Sequence, residues 1–283
     1  MDRFTEHSGR RLRFRDEGDG AVVVLIHGVG SLLESWDRVA VLLTKHFRVI
    51  RPDLTGHGQS SKLPGPYSLA MFADDVLAVM DAARVTKSHI VGFSLGGLVA
   101  QAVALDSAAR VDGLVLMSTV AGRNEDEKQR VLERLAIVAD GIPGRHFENS
   151  VPRWFTDRFA RENPELIEAL AEQNRRNDPA AYAAAYRVLA ESDLADRLHE
   201  IDRPTLVITG ENDVGSNTRM ARLIHERIKG SQLTIIPEQK HSILTEVPEV
   251  IANLLVRFLR DEGEVLEERG LLRERCVPKP ENP

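Results

Sequence analysis

A serine between glycines is the strongest chemical signal in this sequence. Residues 92–97 read GFSLGG and place Ser94 between an apolar run ending at Gly92 and a helical pattern beginning near Leu95. In a G-x-S-x-G turn from strand to helix, the hydroxyl is exposed, and neighbouring side chains collide unless they are very small. The helix N-terminus also directs free amides toward an anionic oxygen. The pattern predicts a nucleophilic Ser94; a chance turn with a capping serine is the alternative.

A serine hydroxyl becomes a good nucleophile only when a base removes its proton, and that base needs an acid to orient it. His241 is the best-placed base because it lies in a loop between an apolar strand and the last core helix. Asp213 is the predicted acid, since it follows the strand predicted at residues 205–209. Sites assemble at the carboxyl ends of parallel strands. Glu211 is the nearest rival to Asp213, and Asp126 is a weaker one.

Two backbone amides are predicted to hold the oxyanion of a tetrahedral intermediate. The first is the N–H of Leu95, directly after the candidate nucleophile. The second is the N–H of Val29 in the loop HGVG at residues 27–30, which follows an apolar run at residues 21–26. Glycines in this loop allow it to fold close over Ser94.

The other histidines are interpreted as structural. His27 is expected to orient its loop through hydrogen bonds, while Asp53 and His57 in the segment 51–60 are expected to brace the site. Six more are interpreted as ordinary surface or core residues: His7, His46, His89, His146, His199 and His225.

Short apolar runs separated by helical patterns must position these residues. The runs lack alternation, which is typical of strands covered on both faces, and they predict a parallel sheet with helices on both sides. They lie at residues 21–26, 47–51, 88–92, 111–117, 204–209 and 232–236. Two polar segments, 3–7 and 10–15, flank Ser8 and Gly9 and predict an exposed hairpin.

The alternation of strands and helices stops once. Residues 123–199 contain helical patterns and charge clusters without a convincing strand, and they predict a helical cap inserted between two strands. The core then comprises residues 1–122 and 200–261, followed by a C-terminal tail at 262–283.

Cap side chains are expected to set substrate specificity. Arg145, Arg153 and Arg158 would suit an anionic substrate, although acidic residues lie among them. Trp154, also in this segment, and Trp36 are interpreted as core or lid packing residues, with the lining of an acyl or leaving-group pocket as the alternative.

Composition excludes several classes of function. The net charge is -6 over 283 residues, and without a long basic run a nucleic-acid partner is not expected. The longest apolar stretch is far short of the roughly 20 residues that a membrane span needs, so the sequence predicts a cytoplasmic protein. The single cysteine and the lack of phosphate-loop spacing predict no disulfide, metal or cofactor. The oligomeric state stays open, with a homo-oligomer as one alternative.

At the motifs described above, the chain resembles the α/β-hydrolase superfamily from about residue 10 to residue 260. The resemblance implies an eight-stranded, mostly parallel sheet, the helical cap, the chain order Ser94, Asp213, His241, and a cofactor-free acyl-enzyme mechanism. The segments ESWD at residues 34–37 and RVI at residues 48–50 are most similar to enol-lactone hydrolases of the 3-oxoadipate type.

The predicted function is therefore that of a serine hydrolase that cleaves a small-molecule ester or enol-lactone. A role in degrading aromatic or heterocyclic compounds follows from the resemblance alone. Two alternatives stay open at this point. One is a carbon–carbon bond hydrolase of ring-fission products, and the other is a non-catalytic receptor for a small molecule on the same fold.

Overall fold

The eight strands of this protein form a single mixed sheet. The computed structural model describes residues 1–260, so the predicted tail at 262–283 lies outside the described residues. The strands are β1 (Asp2–His7), β2 (Arg10–Glu17), β3 (Val22–Ile26), β4 (Arg48–Pro52), β5 (Ser88–Phe93), β6 (Val111–Met117), β7 (Thr205–Gly210) and β8 (Gln232–Ile236).

The strand order is β1-β2-β4-β3-β5-β6-β7-β8. β1 and β2 form the predicted hairpin, with a register that runs from Asp2 opposite Arg15 to His7 opposite Arg10. The expected exposure is wrong for β2, because its Leu12 and Phe14 are buried in the core. β2 pairs antiparallel with β4, and every later neighbour pair is parallel. The predicted eight-stranded, mostly parallel sheet is confirmed.

Helices cover both faces of the sheet. Eleven α-helices lie within residues 1–260: α1 (Asp37–Leu43), α2 (Leu69–Ala82), α3 (Leu95–Asp106), α4 (Glu125–Ala139), α5 (Arg145–Trp154), α6 (Asp157–Glu162), α7 (Pro164–Arg175), α8 (Pro179–Glu191), α9 (Thr218–Arg227), α10 (Ile243–Glu246) and α11 (Pro248–Leu259). α1 and α11 pack together on one face, while α2 and α3 pack on the other.

The unbroken apolar run of β3 follows from this layering. Val23 and Leu25 belong to the core cluster formed with α1 and α11. Val24 and Ile26 point the other way and belong to the cluster formed with α2 and α3. Because successive side chains of a strand alternate between faces, a strand buried on both sides needs an apolar residue at every position.

The chain between β6 and β7 contributes five helices, α4 to α8, and a short 3-10 turn at Ala195–Glu200. α4 begins with a capping box in which Asn124 and Glu127 satisfy each other's backbone amides. The side chain of Asp178 caps α8 by accepting from the backbone N–H of Ala181. This helical segment matches the position of the predicted cap, and its behaviour as a separate domain stays a prediction. Within residues 1–260, no helix is long and apolar enough to cross a bilayer.

Candidate active site

Ser94 occupies the turn between β5 and α3 with a strained backbone, φ 55° and ψ -116°. Its N–H donates to the carbonyl of Met117 at 2.9 Å, and its carbonyl accepts from the Thr119 hydroxyl at 2.8 Å. Both partners belong to the end of β6 or the turn just after it. A non-glycine residue at positive φ persists only where the surroundings enforce it, and these two bonds hold the turn from the neighbouring strand.

The glycines around Ser94 are a steric requirement. A Cβ at Gly92 would lie 2.1 Å from the carbonyl oxygen of Gly96, and a Cβ at Gly96 would lie 2.3 Å from that of Ile26. Both obstacles are backbone atoms, which cannot rotate away. The prediction that this turn excludes side chains at both positions is confirmed.

His241 and Asp213 meet at the carboxyl ends of β8 and β7. The Nδ1 atom of His241 lies 2.6 Å from Oδ2 of Asp213. The other carboxylate oxygen, Oδ1, accepts the backbone N–H groups of Gly215 and Ser216 at 2.9 Å each. These two bonds fix the carboxylate. Because a carboxylate oxygen only accepts, Nδ1 of the imidazole donates the proton of the bond to Asp213. That tautomer leaves Nε2 available as a base.

The rival acids lie elsewhere. Glu211 accepts the backbone N–H of Glu238 at 2.9 Å and is exposed. Asp126 lies exposed in the first turn of α4. Asp213 is therefore the carboxylate that the structure brings to His241.

Ser94, Asp213, His241 and Val29 line one cavity of about 50 Å³. Ser94, His241 and Val29 also line a second cavity of about 310 Å³. Leu95 is buried as the first residue of α3, and its backbone N–H follows Ser94 directly. The loop of Val29 approaches closely, since a Cβ at Gly28 would lie 3.2 Å from the Cβ of Ser94. The structure thus places the three side chains that the sequence singled out on the wall of one cavity.

His27 anchors the loop over Ser94, as the sequence predicts. It is fully buried, with Nδ1 2.8 Å from the carbonyl oxygen of Gly28 and Nε2 accepting the N–H of Leu54 at 3.1 Å. Burial lowers the pKa of His27 to about 4. The neutral ring can then donate from Nδ1 and accept at Nε2, which ties the loop after β3 to the loop after β4.

Asp53 and His57 brace the same region. The carboxylate of Asp53 accepts the N–H groups of Leu33 at 2.8 Å and Gln59 at 2.9 Å, and it pairs with Arg13 at 3.2 Å. The ring of His57 packs edge-on against His27, with centroids 4.9 Å apart. Burial, and after it the neighbouring His27, lower the pKa of His57 to about 3. Both residues are buried structural groups, in agreement with the sequence analysis.

Two residues of the helical segment lie on cavity walls next to Ser94. Trp154 lines both cavities, and its ring centroid lies 6.1 Å from that of His241; Trp36, by contrast, is fully buried core. His146 is buried, as a core histidine would be, and it also lies on the wall of the smaller cavity with Nδ1 2.7 Å from the hydroxyl of Tyr182. Its partner is 36 positions away, so no local sequence signal could have identified it.

Only one of the three arginines suggested as anion ligands faces a cavity next to Ser94. Arg153 lines the smaller cavity. Arg145 pairs with Asp140 and Arg158 pairs with Glu162 on the surface. Arg123, Arg130 and Arg134 join Arg153 on the cavity wall. Among the described residues 1–260, no group of three or more His, Cys, Asp or Glu side chains could hold a metal ion.

Comparison with known proteins identifies the class. Residues 21–248 match the family model described as alpha/beta hydrolase fold, and the chain belongs to this family. A 3-oxoadipate enol-lactonase of Acinetobacter baylyi is 27% identical over 233 residues, covering 82% of this chain and 86% of the relative. The resemblance to this class of hydrolases is confirmed.

Two solved structures are similar over nearly their whole length. The crystal structure of a hydrolase from Pseudomonas aeruginosa is 31% identical with a TM-score of 0.85, covering 91% of this chain and 98% of that chain. A meta-cleavage product hydrolase from Pseudomonas fluorescens is 26% identical with a TM-score of 0.80, covering 92% and 98%. The chain is therefore a hydrolase-family protein with relatives of more than one specificity.

Proposed function

We propose that this protein is a serine hydrolase that cleaves a small-molecule ester or enol-lactone through an acyl-enzyme. The observation that carries the proposal is the His241–Asp213 hydrogen bond at a cavity wall that His241 shares with Ser94. A strained, glycine-flanked serine at a helix N-terminus adds the nucleophile that such a histidine would activate.

The proposed reaction first acylates Ser94 and then hydrolyses the acyl-enzyme. The Nε2 atom of His241 takes the proton of the Ser94 hydroxyl as Oγ attacks the substrate carbonyl carbon. The N–H groups of Val29 and Leu95 hold the oxyanion of the tetrahedral intermediate. His241 then gives its proton to the leaving oxygen, and an acyl-serine ester remains. Water attacks this ester with His241 again as the base, releasing the acid and restoring Ser94, while Asp213 stabilises the imidazolium.

The substrate class rests on the relatives as well as on the cavity. A relative is an enol-lactonase, and an enol-lactone is a cyclic ester that this mechanism opens. A cavity of about 310 Å³ beside Ser94 is within the range of small-molecule sites. Cytoplasmic location, a homo-oligomeric state and a role in degrading aromatic or heterocyclic compounds stay predictions.

The direct test is a fluorophosphonate probe combined with a serine variant. We expect wild-type protein to be labelled at Ser94 and Ser94→Ala to be unlabelled, with kcat on 4-nitrophenyl butanoate lowered by a factor on the order of 10⁴ to 10⁶. Circular dichroism should show an unchanged fold. Full turnover by Ser94→Ala would refute the nucleophile, and a wild-type protein that is neither labelled nor active would favour the receptor alternative.

Carbon–carbon hydrolysis is the second candidate because a meta-cleavage product hydrolase shares this fold at 26% identity. Initial rates on a 4-nitrophenyl ester, an enol-lactone and a vinylogous diketone would separate the two. We expect kcat/KM to be highest on the ester or the lactone. A preference for the diketone would assign the second candidate and leave the triad assignment intact.

A further inference from the structure

Two cavities with different linings meet at Ser94. They share Val29, Ser94, Trp154 and His241 on their walls. The smaller one, about 50 Å³, we name the arginine chamber after Arg134 and Arg153. The larger one, about 310 Å³, we name the apolar chamber. A substrate carbonyl at Ser94 would therefore have different surroundings on its two sides.

The arginine chamber presents more positive than negative charge to a bound ligand. Its two carboxylates are engaged elsewhere, because Glu127 pairs with Arg219 and Asn217 while Asp213 holds His241. Arg153 donates to the hydroxyl of Ser150, which is neutral. Across the described residues, the ion pairs include neither Arg134 nor Arg153. Burial, and after it the charge of Arg134, lower the pKa of Arg153, as expected for cations that lack a counter-ion.

His146 adds a neutral hydrogen-bond donor to the same wall. The Tyr182 hydroxyl stays protonated because burial raises its pKa. We assign its proton to the bond with Nδ1 of His146, which lies 2.7 Å away. The proton of the neutral imidazole must then reside on Nε2. Burial lowers the pKa of His146 to about 3, which keeps the ring neutral. Nε2 is buried and, within the part of the chain that is described, has no hydrogen-bond partner.

The size of the arginine chamber limits what it can hold. Its volume of about 50 Å³ corresponds to about four water molecules. A carboxylate fits this space and matches the donors, since guanidinium groups and a ring N–H all donate to carboxylate oxygens.

The apolar chamber suits a larger and uncharged group. Its apolar lining comprises Phe93, Phe147, Phe155, Leu166, Leu170 and the shared Trp154. Two charged residues, Glu34 and Arg38, also line it, but Glu34 pairs with Arg13 and Arg15, and Arg38 pairs with Glu249. Its volume of about 310 Å³ is six-fold larger than that of the arginine chamber, so it can take an aromatic ring or a short alkyl chain.

We propose that the substrate is a two-part ester or lactone. A carboxylate one or two carbons from the scissile group binds Arg134, Arg153 and Nε2–H of His146, and an apolar group fills the apolar chamber. This inference rests on the proposed hydrolase function and adds its substrate class. Arg134, Arg153 and His146 are the residues that determine this specificity.

The test uses matched pairs of anionic and neutral esters. Benzyl hydrogen succinate is compared with benzyl butanoate, and the 3-phenylpropanoyl ester of 3-hydroxypropanoate with propyl 3-phenylpropanoate. The two pairs place the carboxylate on the acyl or the alcohol side. We expect wild-type kcat/KM to favour the anionic member of at least one pair by ten-fold or more. Arg153→Met, Arg134→Met and His146→Phe should each reduce that ratio at least five-fold.

Arg145→Met and Arg158→Met are the matched controls because both side chains lie in surface ion pairs of the same helical segment. Their ratios should equal the wild-type ratio. Equal wild-type rates on both members of both pairs would overturn the inference and leave ester hydrolysis standing. A ratio that survives in Arg153→Met and Arg134→Met would also overturn it.

A binding measurement separates this inference from the hydrolase assignment. The ketone 4-oxo-6-phenylhexanoate replaces the ester oxygen of benzyl hydrogen succinate by carbon, and 1-phenylhexan-3-one is its neutral counterpart. Calorimetry with wild type and Ser94→Ala should show the keto acid binding at least ten-fold more tightly, and Arg153→Met should abolish the difference. This result would support the anion site even if no ester is turned over. Equal affinities would refute it.

Discussion

At the scale of single residues, the geometry around Ser94 depends on the absence of side chains. The turn brings the backbone of α3 against the end of β3, and the carbonyl oxygens of Ile26 and His27 lie where a Cβ on Gly96 would be. Any side chain there must displace the loop that carries Val29. The same crowding that strains Ser94 therefore positions the two amides assigned to the oxyanion.

Gly96→Ala is expected to lower the free energy of unfolding by about 1–3 kcal/mol or more, because the obstacle is backbone. It should also abolish turnover, since the loop of Val29 must move. Urea denaturation and a 4-nitrophenyl ester assay would measure both. Gly230→Ala is the control: a Cβ there meets nothing within 4 Å, although φ is 74°, so a cost of about 1–2 kcal/mol is expected, with turnover retained. A Gly96→Ala protein with normal turnover would contradict the steric argument.

The carboxylate of Asp213 is expected to contribute mainly through the tautomer of His241. Asp213→Asn replaces one carboxylate oxygen by NH2 and removes the negative charge beside the imidazolium. The N–H groups of Gly215 and Ser216 need an acceptor, so the amide oxygen faces them and the NH2 group faces Nδ1 of His241. We expect kcat to fall by a factor on the order of 10⁴ with little change in fold. Glu211→Gln, the rival position, should change kcat less than three-fold. The opposite ranking would assign the acid to Glu211.

At the scale of elements, the turn between α5 and α6 is joined to the loop of His241. The carbonyl of Trp154 accepts the N–H of Ser242 at 2.9 Å. The N–H and hydroxyl of Thr156 donate to Glu246 at 2.8 and 2.7 Å. Lys240 pairs with Asp157 at 2.9 Å. The helical segment thus reaches the residues on both sides of His241, and its position and that of the imidazole are coupled.

Glu246→Ala should therefore reduce both the catalytic activity and the stability of the protein. Burial raises the pKa of Glu246, although the bonds from Thr156 oppose this. Losing two hydrogen bonds to a half-buried carboxylate should lower the free energy of unfolding by about 1–3 kcal/mol and reduce kcat/KM several-fold. Glu249→Ala, an exposed neighbour in α11, is the control. If both variants behaved alike, the proposed coupling would be wrong.

At the scale of the whole molecule, three buried histidines make stability depend on pH. Burial is the largest cause that lowers the pKa of each, to about 4 for His27 and about 3 for His57 and His146. The unfolded chain binds protons at these rings near pH 6.5, whereas the folded chain stays neutral until much lower pH. Folded stability is therefore present in full above pH 6.5 and falls as the pH decreases toward 4.

Urea denaturation between pH 6.5 and 5.0 would measure this dependence. Each buried histidine should contribute about 1 kcal/mol of lost stability per pH unit below pH 6. His27→Gln removes one titrating ring and should reduce the slope by about that amount. His199→Gln, at an exposed position, should leave the slope unchanged. A slope near zero in wild type would contradict the burial of these rings as neutral groups.

Much of the architecture could be predicted because it is recorded in local patterns. Three local patterns carry this information: the apolar run of β3, the glycines around Ser94 and the helical periodicity between the runs. Each pattern indicates which sides of a segment are buried, because burial selects the type of residue at each position. The chain order of Ser94, Asp213 and His241 follows, since each comes after its own parallel strand and the carboxyl ends of those strands share one edge of the sheet.

Only tertiary packing decided which distant side chains meet. The choice of Asp213 over Glu211, two positions apart on one loop, depends on which carboxylate points at His241. The places of His146 and Trp154 on the cavity walls depend on how the helical segment packs beside Ser94 and His241. These contacts join residues that are tens of positions apart along the chain, and their distances are set by the packing of helices rather than by any periodicity that the sequence displays.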